Sequence, residues 1–150
     1  MAEKRKSSDF TDPPPPLIGA LLRMPWEEVR RRMLERLHER GFDDLDQAHL
    51  ALFQYPGPDG ARPSELAARL RVSKQAINYL LGELERLGYL DRRPDPDDQR
   101  SKRVVLTRRG RRAVETIRDA VADVEAEWSA RLGPRRFDQL RVLLRELAET

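Results

Sequence analysis

Residues 61–88 read ARPSELAARLRVSKQAINYLLGELERLG, and the fold follows from this stretch. Its periodicity predicts two helices joined by a very short turn. Pro63 suits a first helical position, because its missing N–H would be unpaired there anyway, and Glu65 complements the positive helix start. Leu66, Ala67 and Leu70 fall on one face, Val72 lies in the turn, and Ser73 caps the second helix through its hydroxyl. That helix carries Ile77, Leu80, Leu81, Leu84 and Leu87 at helical spacing and stops at Gly88. Small Ala67 lets the two helices cross closely, as a helix-turn-helix needs. The opposite face of the second helix lines up Gln75, Asn78, Tyr79 and Gly82. Amides on the N-terminal half of an exposed helix suit base edges in a major groove, since Gln or Asn can bond bidentately to adenine.

The sequel narrows the reading. Gly88 to Arg93, then PDPDDQRS, then Lys102 to Thr107 predicts a strand, a loop and a strand over residues 90–106. A basic hairpin directly after a recognition-type helix is a wing. On SELAARLRVSKQAINYLLGELERLGYL, RRPDPDDQR and VVLTRRG the chain resembles the MarR family of winged-helix transcription regulators, and more loosely so from Leu17 to about Leu147. The resemblance implies a mainly α fold with a small β-hairpin wing and long dimerisation helices. It also implies a homodimer on double-stranded DNA, with recognition helix 73–87 and wing 90–106 meeting a palindromic operator, and release by a small aromatic effector.

The wing loop carries Asp95, Asp97 and Asp98, which backbone phosphates would repel. The arrangement makes sense if Asp98 holds Arg100 in position, so that the guanidinium enters an adjacent minor groove and senses its width and potential. The family resembled has an arginine similarly placed. Arg93, Lys102 and Arg103 are then expected at phosphates, as are Ser73 and Lys74 at the helix start. The plainer alternative is that Asp98 and Arg100 form only a hairpin salt bridge. Arg71 occupies the turn position where glycine is usual, and a left-handed conformation there costs on the order of 1–2 kcal/mol.

At 150 residues the chain is long enough for one domain with a real core. Charged residues make up 37% of it, against 39% hydrophobic, which predicts long helices with exposed faces. The net charge of +3 is modest, so a local basic patch matters more than the total. There are no cysteines, which excludes thiol sensing, disulfides and thiolate metal sites. No run approaches a transmembrane span and no apolar signal core is visible, so a cytoplasmic protein with no membrane partner is expected.

Residues 1–16 are charged and then proline-rich, and a disordered tail is expected there, with a single domain over 17–150. Within it, 62–107 would form the DNA-binding lobe, and 17–40 and 108–150 the dimerisation helices. Over 17–40 a helical pattern runs through Ile18, Leu21, Leu22, Trp26, Val29, Met33 and Leu37. Pro25 should kink or split it. Arg30, Arg31, Arg32 and Arg36 read as a solvated outer face. Asp43 or Asp44 is expected to cap the next helix, which carries His49, Leu52 and Phe53.

Thr107 can cap a long helix to about Leu132, with Gly110 in its first turn. Val114, Ile117, Val121, Val124 and Trp128 form a narrow seam that asks for a partner helix. After Gly133 and Pro134 a last amphipathic helix brings Phe137, Leu140, Leu143, Leu144 and Leu147. The dimer interface is expected to draw on Ile18, Leu21, Val121, Val124, Trp128, Phe137, Leu140 and Leu144. Two recognition helices would then lie roughly 34–36 Å apart, one DNA turn. Trp26, Met33, His49 and Phe53 are candidates for the effector cleft, although a lone histidine on an apolar face is ordinarily a packing residue. His38 and His49 have no partners at metal-site spacing, and no metal or other cofactor is expected. An enzyme finds no support in a glycine-rich phosphate loop or a nucleophile with its base. The competing function is a winged-helix module whose exposed amide face binds protein rather than DNA.

Overall fold

The computed structural model describes residues 14–54 and 57–149, and places in them the order α1 (Ile18–Glu39), α2 (Gln47–Leu50), α3 (Pro63–Leu70), α4 (Lys74–Arg86), β1 (Leu90–Asp95), β2 (Asp98–Leu106), α5 (Arg108–Leu132) and α6 (Pro134–Ala148). The chain is thus mainly α with one β-hairpin, a winged helix-turn-helix flanked by long helices. The tail expected over residues 1–16 lies outside the described residues up to residue 13, and 14–16 have no regular structure. No helix of the described residues is long and apolar enough to cross a membrane.

Pro25 neither ends nor divides α1, which runs through it without interruption. Proline removes only one backbone bond, and beyond it Val29, Met33 and Leu37 are buried, so the helix continues. The expected cap of α2 is also corrected. Asp46, not Asp43 or Asp44, accepts from the N–H groups of Ala48 and His49, and the helix is a single turn. Asp44 is drawn instead into the core wall, where its carboxylate accepts from the Tyr89 hydroxyl and from Arg109.

Tyr89 marks the centre of the structure. Its ring is fully buried, 6.1 Å from the Phe42 ring and 6.4 Å from that of Phe53, with the Arg109 guanidinium 4.5 Å from its centroid. Leu37, Leu45, Leu50, Ile77, Leu81, Leu84, Leu90 and Val104 are buried in the same core. The start of α5 is pressed against the same point. A Cβ on Gly110 would lie 1.9 Å from the Tyr89 carbonyl oxygen, so only glycine lets the helix approach this closely. Thr107 completes the junction, accepting from the Gly110 N–H at 3.1 Å while its hydroxyl donates to the Gly88 carbonyl at 2.6 Å.

The seam of α5 finds its partner inside the chain. Ala113, Thr116, Ile117, Ala120 and Val124 are buried, and α1 lies along this helix. Arg32 pairs with Glu127 at 2.6 Å, Arg36 with Asp123 at 2.5 Å and Arg40 with Asp119 at 3.9 Å. Steps of four on both helices make an antiparallel ladder, so Arg32 and Arg36 are register pins rather than a merely solvated face. Exposed pairs of this kind stabilise only weakly. Val124 is therefore core of the single chain, and Phe137 is buried within it as well, so neither offers the outward face expected of it. Ile18, Leu21 and Leu144 remain exposed, with Leu140, Val121 and Trp128 half-buried.

Candidate nucleic-acid interface

The turn between α3 and α4 takes the form its residues predict. Arg71 adopts φ 54 and ψ 42, the left-handed conformation, and is the sole non-glycine with positive φ among the described residues. Its N–H and that of Val72 return to the carbonyls of Ala68 and Ala67, closing α3. Ser73 then caps α4, its hydroxyl oxygen accepting from the Ala76 N–H at 3.0 Å, which leaves the hydroxyl proton free to donate. Ile77, Leu81 and Leu84 anchor the helix inward. Lys74 and Gln75 are exposed beside Ser73, and Tyr79 is 69% exposed, its hydroxyl donating to Glu83 at 3.3 Å.

Asn78 is placed differently from Gln75 and Tyr79. It is half-buried, its side-chain N–H donates to the Lys74 carbonyl at 2.9 Å, and its side-chain oxygen accepts from Arg92 at 3.1 Å. Arg92 also reaches the Asn78 carbonyl at 3.2 Å, and its Nε lies 3.4 Å from a Glu85 carboxylate oxygen. The expected open amide is thus already engaged before any ligand arrives. Arg92 went unrecognised as a contributor to the site. The available signal was strand alternation, which sets Arg92 on the same face as buried Leu90.

The hairpin pairs β1 with β2 antiparallel, Leu90 opposite Leu106 and Arg93 opposite Arg103, with an irregularity at Pro94 and Asp95. The segment before α3 is tied alongside, Gly60 N–H donating to Val104 and Val104 N–H to Ala61. Asp95 is the key to the acidic loop. It is buried beneath the loop, 2.6 Å from Arg62 and 2.9 Å from Arg103. Burial by itself would raise its carboxyl, but the Asp97 N–H and the guanidinium groups of Arg103 and Arg62 outweigh that and hold it at about 2. Arg103 also pairs with Asp97 at 3.0 Å and donates to the Gly60 carbonyl.

These contacts correct two expectations. Arg103 is an internal strut, its charge spent on Asp95 and Asp97, and is not a free cation for phosphate. The alternative of a hairpin salt bridge between Asp98 and Arg100 is not met among the described residues, and Asp98 holds Arg100 through the backbone rather than the guanidinium. Its carboxylate accepts instead from the Arg100 backbone N–H at 3.0 Å and the Ser101 hydroxyl at 2.8 Å. The tip is therefore shaped through the backbone, leaving the Arg100 side chain exposed. Arg93 and Lys102 are exposed on the strands, Arg93 only loosely paired with Asp91 at 4.0 Å.

Away from the hairpin, a cavity of about 790 Å³ opens between α1, α5 and the segment after α2, with Trp26, Met33 and Phe53 in its wall. His49 does not line it. The imidazole is buried, Nδ1 accepting from the Asp46 N–H at 3.0 Å and Nε2 facing a Glu83 carboxylate oxygen at 3.5 Å, so the residue closes the α2 cap against α4. Among the described residues no cluster of histidine and carboxylate side chains could hold a metal ion.

With this geometry in hand, comparison with known proteins is consistent across the chain. A family model described as MarR family matches residues 40–101, from the end of α1 to the wing. The HTH-type transcriptional regulator YkoM of Bacillus subtilis is 31% identical over 121 residues, covering 81% of this chain and 77% of that protein. Among solved structures, apo MarR from E. coli superposes with a TM-score of 0.66 at 26% identity, covering 88% of this chain and 97% of MarR. The transcriptional repressor CouR bound to a 23-mer DNA duplex gives the same TM-score and identity, over 88% of this chain and 92% of CouR.

Proposed function

Because this chain belongs to the MarR family of transcriptional regulators, we propose that it is a homodimeric repressor that binds double-stranded DNA at a palindromic operator and is released by a small aromatic effector. The observation that carries the reading is the division of labour on α4. One face is fully buried, and the N-terminal half of the other presents Lys74, Gln75 and Tyr79 to solvent beside a wing with exposed Arg93, Arg100 and Lys102. Backbone phosphates are met by Ser73, Lys74, Arg93 and Lys102, and bases by Gln75, Tyr79 and the remaining hydrogen-bonding capacity of Asn78 in the major groove. Arg100 enters the minor groove.

The likeness to CouR, solved on a DNA duplex, supports the same mode of engagement. Residues 62–107 then form the DNA-binding lobe, while 17–40 and 108–150 dimerise. Exposed Leu17, Ile18, Leu21 and Leu22 on or beside α1, with Val142, Leu143, Leu144 and Leu147 on α6, supply the apolar faces that a second copy covers. The cavity walled by Trp26, Met33 and Phe53 has the size of a small-molecule site and an apolar lining suited to an aromatic ring. An effector acts by binding better to a lobe spacing that DNA does not accept.

The test is a gel shift with the DNA flanking the coding region, against scrambled fragments, over a range of salt. Preferential retention of one fragment, with affinity falling as salt displaces the phosphate contacts, is the expected result. Arg100→Ala should weaken retention of that fragment on the order of tenfold or more, the loss of at least one charge-assisted groove contact. Equal affinity for all fragments, or none for any, would return the exposed amide face to a role in protein contact.

A further inference from the structure

Arg92 ties the wing to the reading helix. It projects from β1, donates through Nη1 to the Asn78 side-chain oxygen at 3.1 Å and through Nη2 to the Asn78 carbonyl at 3.2 Å, and stands 3.4 Å from Glu85 a further two turns along α4. A Cβ on Gly82 would lie 4.0 Å from Nη2, an ordinary van der Waals contact, so the guanidinium lies directly against the helix at this turn. The other end of the Asn78 amide is held by the Lys74 carbonyl at 2.9 Å. Both polar ends of this side chain are therefore committed in the free protein.

From this we infer that Arg92 is a specificity-determining positioning residue: by gripping Asn78 it presets the orientation of that amide and with it the base chosen at one operator position. The inference rests on operator binding as proposed above. An asparagine amide discriminates bases by which of its ends is offered. The oxygen accepts from an exocyclic amine and the nitrogen donates to N7 or a carbonyl. A free amide turns to suit either and gains the bidentate grip on adenine. Here a charged donor claims one lone pair of the oxygen, and a carbonyl claims one proton of the nitrogen. The remaining lone pair and proton point in directions set by the protein, and turning the amide over would face Arg92 with an N–H and leave buried donors unpaired. The choice at that position thus belongs to the pair. Because Arg92 sits on β1, the position of the wing strand and the orientation of the reading amide are mechanically joined.

The experiment is operator selection from a random DNA pool with the full chain and with Arg92→Ala, Asn78→Ala and the double variant, each followed by thermal melting. Arg92→Ala is expected to change or broaden base preference at one pair of symmetry-related positions and leave the rest of the enriched sequence as it was. Asn78→Ala should alter the same positions, and adding Arg92→Ala to it should change the preference no further. Arg92→Gln keeps a donor within the same volume and carries the test if the alanine variant fails to fold. Its expected profile shifts at the same positions by less. A purely structural Arg92 would lower the melting temperature and weaken every sequence alike, and that uniform result overturns the inference. So does a profile altered at positions that Asn78→Ala leaves untouched. A wild-type chain that enriches no sequence defeats operator binding itself, whereas wild-type enrichment with an unchanged Arg92→Ala profile defeats only the Arg92–Asn78 assignment.

Discussion

Between Pro63 and Leu106 the chain buries Leu66, Ile77, Leu81, Leu84, Leu90 and Val104 and turns largely polar side chains outward, Tyr79 and Val72 being its large exposed apolar groups. Between Leu17 and Trp26 and again from Val142 to Leu147 it does the reverse, leaving Leu17 82% exposed, Ile18 69% and Leu147 67%. Composition already distinguishes the two regions: residues 63–106 are dense in charge, whereas Leu17–Trp26 carries a single charged residue, Arg23. They differ as well in whether the apolar face finds a partner within the same chain. Where α4 meets the core, the Tyr89 cluster covers it. At the start of α1 and on α6, Leu17, Ile18, Leu21, Leu143 and Leu144 stay largely exposed. One region packs its apolar faces into the common core, while the other leaves apolar surface exposed, which a second copy would cover in the homodimer proposed above.

The sharpest way to break this contrast is to charge the uncovered faces. Leu21→Glu combined with Leu144→Glu should leave helix content intact and yield a monomer by light scattering. Operator affinity should fall on the order of a hundredfold or more through loss of bivalent engagement. A dimer that survives both changes would remove the argument from exposed leucine. Next in size is the junction between the regions. Gly110→Ala drives a methyl group into the Tyr89 carbonyl, and backbone at that point cannot yield as a flexible side chain would. We expect a loss of at least about 1–3 kcal/mol in denaturant unfolding.

A smaller effect isolates the wing. The carboxyl of Asp95 stands at about 2 in the folded chain against an ordinary 3.8. A folded value below the unfolded one means that this group favours folding at pH above about 4 and loses that contribution as pH falls toward about 2. Asp95→Asn should flatten the acid limb of the stability curve in that window, measured by melting across pH. The smallest effect, and the most discriminating, comes from Arg71. Arg71→Gly relieves the left-handed strain and should raise stability by about 1 kcal/mol. If its exposed guanidinium meets a phosphate, the same change weakens DNA binding and reduces the salt slope by about 0.9. Stability and affinity moving in opposite directions would mark Arg71 as a retained functional strain, whereas unchanged affinity would mark it as tolerated strain only.

The helix-turn-helix was legible because its signals are local. Pro63, Ser73 and Gly88 bound their helices by backbone requirements that neighbouring residues do not override, and Thr107 caps α5 through the Gly110 N–H as its spacing suggests. Some misses were local, such as the cap of α2, which is Asp46 rather than Asp43 or Asp44, but the larger ones concern which distant group a charged or apolar side chain meets. Arg103 was expected at phosphate and is held by Asp95, a residue buried beneath the loop. Val124 was assigned to a second subunit and packs in its own chain, because α1 and α5 share one seam. His49 lies one helical turn from Phe53 yet points at α4 rather than into the cavity.

Sequence alone therefore determined most of the elements, the ends of α3, α4 and α5, and the exposure of Gln75 and Tyr79 on α4, since helical period, caps and turn conformations are decided within a few residues. Tertiary structure alone decided the partners. It set Arg92 on Asn78, stacked Arg32, Arg36 and Arg40 against α5, and made an acidic wing tip compatible with a basic role by burying one carboxylate under two guanidinium groups. The physical reason is range. A cap or a left-handed turn is an energy of adjacent residues, whereas a charge takes its meaning from whatever the fold brings within about 4 Å.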